Sequence, residues 1–218
     1  MISIKHNFLF IHIPKTGGNS IQTYLSEFSE DSLITKNFRR DGVRKFQVVN
    51  RKYGTVKHST INDYKKKIEK NIFDSLFKFT VIRNPWDRMI SFYFSPHKTV
   101  PEWNREKFRE LISHKLTLRD FICTESLGDK INRTVKMSIF PNRKSIDSEI
   151  DFILRFENLN NDFRELCSKL DIPYQNLPHI NQSKRNHYSK YYDEELNDII
   201  KSRFSEEIEL GQYRFERG

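Results

Sequence analysis

Three short apolar runs, each followed by a polar turn and a helical pattern, constrain the fold of this chain most strongly. Runs of this length with little polar interruption indicate strands buried on both faces, as in a parallel sheet. The runs are NFLFIHI at 7–13, LFKFTVI at 76–82 and FILRF at 152–156. The helical patterns that follow them cover 20–28, 85–94 and 162–170. This alternation predicts an α/β sandwich around a mainly parallel sheet.

Weaker patterns fill the remaining chain. Thr60, with Asp63 three residues later, is typical of a helix start. Further helices are predicted over 61–70, 105–113, 117–123 and 193–204, and weak strands over 46–50 and 53–56. No internal repeat or low-complexity linker separates these elements, so we expect one domain over residues 1–218.

The composition excludes several classes of protein. Charged residues make up 31% of the chain and aromatic residues 13%, while Gly and Pro are scarce, which excludes disordered and fibrous chains. No apolar stretch reaches the roughly 20 residues needed to cross a bilayer, and the first residues do not resemble a signal peptide. We therefore expect a cytoplasmic protein without a transmembrane segment. Cys123 and Cys167 have no CxxC partner and no His at metal spacing, so we expect reduced thiols and no metal.

Positive charge is concentrated in one segment. The chain carries a net charge of +9, and residues 36–70 hold twelve Lys or Arg against three acidic residues, a local charge of +9. Such a surface attracts anionic partners: nucleic acid, a phosphorylated cofactor, an acidic glycan or a membrane surface. A solvated lysine-rich surface without a partner is the alternative.

The turn after the first apolar run has the composition of a phosphate-binding loop. Its sequence is Pro14-Lys15-Thr16-Gly17-Gly18-Asn19-Ser20. Two glycines allow backbone N–H groups to approach an anion closely, and the following helix adds the positive end of its dipole. The lysine precedes the glycine pair, whereas a Walker A loop ends in Gly-Lys-Ser/Thr, so hydrolysis of a nucleoside triphosphate is disfavoured. An ordinary strand-to-helix turn that needs glycine is the alternative.

These motifs resemble those of the carbohydrate-type sulfotransferases. IHIPKTGGNSI at 11–21 resembles their 5′-phosphosulfate loop, and FTVIRNPWDRMISFYF at 79–94 resembles their 3′-phosphate motif. The C-terminal blocks at 153–170 and 177–188 are similar to the last part of the same family. The resemblance implies a P-loop-like three-layer sandwich with a central, mainly parallel sheet flanked by helices. It also implies 3′-phosphoadenosine 5′-phosphosulfate (PAPS) as donor, with transfer of a sulfuryl group to a hydroxyl, often on a saccharide.

The resemblance also assigns residues to the donor. Lys15 is expected to contact the oxygen that bridges sulfur and phosphorus, where negative charge grows as the bond breaks. Residues expected to hold the 5′-phosphate are Thr16, Gly17, Gly18, Asn19 and Ser20. Residues expected at the 3′-phosphate or closing over the nucleotide are Arg83, Ser91, Ser183 and Arg185. Asp87 and Arg88 are expected to fix the loop and the helix, and a surface ion pair between Arg83 and Asp87 is the alternative for Arg83.

A general base is needed to take the proton of the acceptor hydroxyl, and histidine suits neutral pH. Of seven histidines, His58 is our choice because it lies in KHSTINDY, between the two donor motifs, where the resemblance places the family's catalytic histidine. A surface or helix-capping histidine is the alternative. His12 alternates with apolar residues and is expected to be a hydrogen-bonded core residue.

The sequence constrains the identity of the acceptor least. If the basic segment 36–70 lines the cleft, a long or anionic saccharide or a glycolipid is favoured, and no nucleic acid is expected. Two other functions stay open: a small P-loop kinase using ATP, and a nucleic-acid-binding protein using residues 36–70.

Overall fold

The chain forms two sheets and nine α-helices among the residues that a computed structural model describes, namely 1–40, 43–95, 102–123, 149–177 and 185–218. At 35–40 and 43–45 only the backbone is described. The strands are β1 (Ile2–Ser3), β2 (Phe8–Ile11), β3 (Ser32–Arg40), β4 (Val43–Asn50), β5 (Thr55–Val56), β6 (Phe77–Ile82) and β7 (Phe152–Arg155). The helices are α1 (Gly18–Leu25), α2 (Ile61–Lys65), α3 (Lys70–Ser75), α4 (Pro85–Tyr93), α5 (Arg105–His114), α6 (Leu118–Ile122), α7 (Leu159–Lys169), α8 (Glu194–Arg203) and α9 (Ser205–Gly211).

The central sheet has the strand order β1-β2-β6-β7. β2, β6 and β7 run parallel, while the short β1 is antiparallel to β2. The three apolar runs of the sequence are these parallel strands, as predicted. β2 is buried throughout, but the prediction of a buried strand is wrong for β7, which lies at the sheet edge, is only partly buried and exposes Arg155.

Helices cover both faces of this sheet. Successive side chains of a strand point to opposite sides, so the apolar residues of β2 need a packing partner on each face. Phe8 and Phe10 of β2 belong to a core cluster shared with α1 and α7. Leu9 and Ile11 belong to a second cluster, shared with α2, α3 and α6. The chain is thus a mixed α/β protein whose mostly parallel central sheet is flanked by helices, as predicted.

A second, antiparallel sheet of β3, β4 and β5 lies between α1 and α2 in the sequence. The weak strand predictions fall in β4 and β5, whereas β3 was not predicted. The single helix expected over 61–70 is wrong. The capping box of Thr60 and Asp63 does start α2, but the N–H groups of Lys67 and Ile68 both bond to the carbonyl of Tyr64, and this turn separates α2 from α3.

A third core cluster joins α4, α5 and α8. Trp86 is buried at its centre and donates from Nε1 to Oδ1 of Asn197 at 2.8 Å. Cys123 and Cys167 are not joined in a disulfide, as expected. Across the described ranges, none of the helices combines the length and the apolar character needed to cross a membrane.

Candidate functional site

The loop after β2 leads into α1, whose first N–H groups are not capped by a side chain of the described residues. Lys15 and Gly17 both have positive φ, at 70° and 84°, and Gly17 precedes the first residue of α1. No side chain of the described residues caps α1, and Thr16 is occupied elsewhere, since its hydroxyl donates to the carbonyl of Ile13 at 2.8 Å. An uncapped helix N-terminus beside a glycine turn provides donors for an anion.

Gly18 has no room for a side chain because the ring of His12 lies against it. A Cβ atom at this position would lie 2.3 Å from Cδ2 and 2.5 Å from Nε2 of His12. His12 is buried and its Nδ1 lies 2.9 Å from Oε1 of Gln22. The expectation of a hydrogen-bonded core histidine is confirmed, and the ring also sets the position of the first turn of α1.

Arg83 connects the second donor motif to the loop of the first. Its Nη1 donates to the carbonyl of Lys15 at 2.9 Å, and its Nε donates to Oδ2 of Asp87 at 2.9 Å. Nη2 also pairs with Oδ2 of Asp87, and the guanidinium lies 3.8 Å from the ring centroid of Phe156. Of five N–H groups, these bonds use three, which leaves one on each Nη nitrogen for a ligand. The Asp87 ion pair exists, but with the Arg83 side chain only 11% exposed it is not a surface pair.

Arg88 anchors the same loop from the interior. Its Nε donates to the carbonyl of Pro14 at 3.2 Å and its Nη2 to that of Leu116 at 3.1 Å. Nη1 lies 3.7 Å from Oε1 of Glu207 in a fully buried ion pair. Burial lowers the pKa of Arg88 to about 10, against the opposing charge of Glu207. Arg88 thus fixes the loop, as expected.

Arg185 approaches Arg83 from the C-terminal block. Its Nη2 donates to Oδ1 of Asp87 at 2.5 Å, so one carboxylate bridges both guanidinium groups. Ser183 lies outside the described residues.

The side chain of Lys15 reaches the C-terminal end of α4, where Ser91 also lies. The Nζ of Lys15 donates to Oγ of Ser95 at 3.3 Å. Ser91 is buried on α4, one turn before Ser95. Both ends of α4 therefore contact the loop after β2, through Arg83 at the start and Ser95 at the finish.

His58 is fixed by the main chain of the same loop region. Its Nδ1 lies 3.0 Å from the carbonyl oxygen of His12, and the two rings are 4.5 Å apart. Because a carbonyl only accepts, Nδ1 carries the hydrogen, and the lone pair of neutral His58 is on Nε2. Thr60, rather than His58, caps α2, so the helix-capping alternative is excluded.

The surroundings of His58 favour its neutral form. His58 is exposed to solvent, as the surface alternative expects, yet the protein atoms around its ring lower its pKa. The His12 carbonyl opposes this change in pKa and the charge of Lys57 adds to it. Lys57 donates to the carbonyl of Phe46 at 3.2 Å and lies 3.9 Å from the Phe46 ring centroid. Burial lowers the pKa of Lys57 to about 8.

Contacts join some of the residues predicted for the site. Arg83 bonds to the carbonyl of Lys15, His58 bonds to the carbonyl of His12, and Arg185 shares Asp87 with Arg83. The other predicted residues that the structure describes lie on the loop after β2, on α1 or on α4: Thr16, Gly17, Gly18, Asn19, Ser20 and Ser91. No role was predicted for Lys57, and His12 was predicted only as a core residue. The sequence HIPKTGG, in which His12 lies three residues before Lys15, could have indicated that His12 contacts the loop. In the part of the chain that is described, no three His, Cys, Asp or Glu side chains form a group able to hold a metal ion.

Comparison with known proteins gives two matches. The model of the sulfotransferase family matches residues 1–214. An uncharacterized protein of Archaeoglobus fulgidus is 25% identical over 126 residues, which are 58% of this chain and 93% of that protein. No solved structure matches the chain. Since the family model covers almost the whole sequence, the chain belongs to the sulfotransferase family, whose reaction is sulfuryl transfer and whose implied donor is PAPS.

Proposed function

We propose that this protein transfers a sulfuryl group from PAPS to a hydroxyl of a saccharide, with Lys15 and His58 as catalytic residues. One observation supports the proposal: Arg83 and His58 both bond to the main chain between β2 and α1. Arg83 donates to the carbonyl of Lys15, and His58 is held by the carbonyl of His12.

The residues at this loop fit the donor. The uncapped start of α1 and the glycine pair suit a 5′-phosphate, with Thr16, Asn19 and Ser20 beside it. Arg83, Ser91 and Arg185 would hold the 3′-phosphate, and Ser183 stays a prediction. A P-loop-like three-layer sandwich in one domain over residues 1–218 is part of the same proposal.

The chemistry needs in-line geometry and charge stabilisation more than covalent help from the protein. Bound PAPS supplies an activated sulfuryl group. The ammonium of Lys15 would stabilise the charge that grows on the leaving phosphate. The Nε2 of His58 would accept the proton of the acceptor hydroxyl, and the carbonyl of His12 would hold the resulting imidazolium through Nδ1.

Calorimetric titration tests the donor site. We expect 3′,5′-adenosine bisphosphate (PAP) to bind in the presence of EDTA more tightly than 5′-AMP or ATP. Arg83→Ala should abolish this preference because it removes donors to the 3′-phosphate. With the donor site established, an acceptor screen with PAPS compares the wild-type protein with His58→Ala, which should lose turnover while keeping PAP affinity.

Other outcomes favour the other functions. Tighter, magnesium-dependent binding of ATP would favour a kinase, and no preference for PAP together with salt-sensitive binding of RNA or DNA would favour a nucleic-acid-binding protein. A cytoplasmic location stays a prediction.

For the acceptor we propose a long or anionic saccharide or a glycolipid. The support is the position of three exposed lysines, Lys65, Lys66 and Lys67, at the end of the helix that follows His58. Neutralising them together should raise the acceptor KM and leave PAP affinity unchanged. A matched control neutralises Lys107, Lys169 and Lys201, which are exposed elsewhere. Equal acceptor KM values for both variants would contradict an anionic acceptor at this surface.

A further inference from the structure

We propose that Asp87 is the positioning residue that makes the donor site selective for a 3′-phosphate. It would do so by holding Arg83 and Arg185 side by side, so that both guanidinium groups face one phosphate. This inference rests on the proposed function, because it concerns the same donor.

The carboxylate of Asp87 is divided between the two arginines. Oδ2 accepts from Nε and Nη2 of Arg83, and Oδ1 accepts from Nη2 of Arg185 at 2.5 Å. The side chains of Arg83 and Arg185 are 11% and 10% exposed. Without a shared counter-charge, two guanidinium groups this close and this buried would repel each other.

Asp87 is itself held at the start of α4. Its N–H points to Oδ1 of Asn84 at 3.4 Å, and the N–H of Asn84 donates to Oε1 of Glu157 at 2.8 Å. Phe156 supports the face of Arg83. The carboxylate therefore has a fixed position from which to orient both arginines.

Asp87 is ionised between the two arginines. Burial disfavours the ionised form of Asp87, but the charges and hydrogen bonds of Arg83 and Arg185 outweigh this and lower its pKa, so the group is ionised at neutral pH. The charge of Glu157 also acts on Arg83, so carboxylates already offset part of the positive charge. A 3′-phosphate would offer several acceptor oxygens to the two guanidinium groups, whereas 5′-AMP has no group at this position.

Positioning and simple electrostatics predict opposite results for Asp87→Asn. If the carboxylate acted only through its charge, removing it from an anion site would strengthen PAP binding. If it positions the arginines, its loss weakens PAP binding, because the amide can accept from one guanidinium only and turns an N–H group toward the other.

The test is the affinity for PAP and for 5′-AMP, measured by calorimetry on matched variants. Asp87→Asn should weaken PAP binding about tenfold and leave 5′-AMP affinity within about twofold. Asp87→Glu keeps the charge but displaces it by one methylene, and it should also lower the PAP preference. Asp74→Asn removes the same charge from an exposed pair with Lys70 and should change neither affinity.

Unchanged or tighter PAP binding by Asp87→Asn would overturn the inference, and so would an equal loss for both nucleotides, which indicates a general loosening. If the Asp87 variants do not fold, Arg185→Ala decides: its PAP preference must fall, and an unchanged preference overturns the inference. A wild-type protein without PAP preference overturns the proposed function itself, so the two failures are distinguishable.

Discussion

The contact between Gly18 and His12 is the smallest unit on which this site depends. In Gly18→Ala the added methyl group would lie 2.3 Å from the His12 ring, so the ring or the helix must move. We expect a loss of about 1–3 kcal/mol in the free energy of unfolding and weaker PAP binding, measured by denaturation and calorimetry.

Gly54→Ala is the matched control for this variant. Gly54 has φ 59°, but among the described residues a Cβ atom there would meet only Nζ of Lys67, at 3.7 Å. The backbone strain of an alanine at position 54 would be well separated in sequence from the donor loop. It should cost about 1 kcal/mol with no effect on PAP affinity, and a parallel loss of affinity in both variants would contradict the steric explanation.

The two histidines also predict how stability depends on pH. Burial, then the neighbouring charges of His58 and Lys57, lowers the pKa of His12 well below 6.5, and burial lowers that of His58. Below pH 6.5 the unfolded chain therefore binds more protons than the folded protein. The free energy of unfolding should be highest above this pH and fall as the pH drops through the folded-state pKa values.

His12→Phe tests this dependence, since it keeps a ring beside Phe10 and removes one titrating group. Chemical denaturation between about pH 5 and about pH 7.5 should show a shallower fall than in the wild-type protein. An identical slope in both proteins would contradict the assignment of His12 as a buried neutral group.

At the scale of elements, α9 stabilises the donor loop through α4. Glu207 of α9 pairs with Arg88 of α4, and Arg88 donates to the carbonyl of Pro14. Glu207→Gln keeps an acceptor for the N–H of Leu118 but leaves Arg88 as a buried charge without its partner. We expect the free energy of unfolding to fall by about 3 kcal/mol, measured by denaturation.

The neighbouring residue provides the control. Glu206 pairs with Arg119 and its side chain is 31% exposed, so Glu206→Gln should cost less than about 1 kcal/mol. Similar costs for the two variants would show that the pair of Glu207 with Arg88 contributes no more than a pair whose acidic side chain is partly exposed.

For the whole molecule, the donor loop connects β2 to α1 and accepts bonds from Arg83, which follows β6, and from Arg88 of α4. A ligand there should therefore stabilise the complete fold. At about one hundred times its Kd, PAP should add about 2.7 kcal/mol and raise Tm by roughly 5–10 °C. Arg83→Ala should show a much smaller shift at the same concentration, and an equal shift would place the binding elsewhere.

The sequence predicted the elements better than the contacts among them. The parallel strands β2, β6 and β7 were recognisable because their apolar runs are local in the sequence. β3 was missed because its polar composition gives no such signal. The pairing of Asp87 with Arg185 joins residues far apart in the chain, so neither side chain alone indicated the other. The site residues came from motif resemblance, whereas the main-chain contacts of His58 and Arg88 required the structure.

The donor loop is held by bonds to its main chain. Arg83, Arg88 and His58 donate to the carbonyl groups of Lys15, Pro14 and His12 respectively. Every amino acid carries this carbonyl, so replacing one of the three loop residues removes no acceptor. Over evolutionary time the loop can therefore exchange the side chains of Pro14 and Lys15, and with them its ligand preference, while keeping these bonds; Gly18, which has no room for a side chain, and the donating residues have no such freedom.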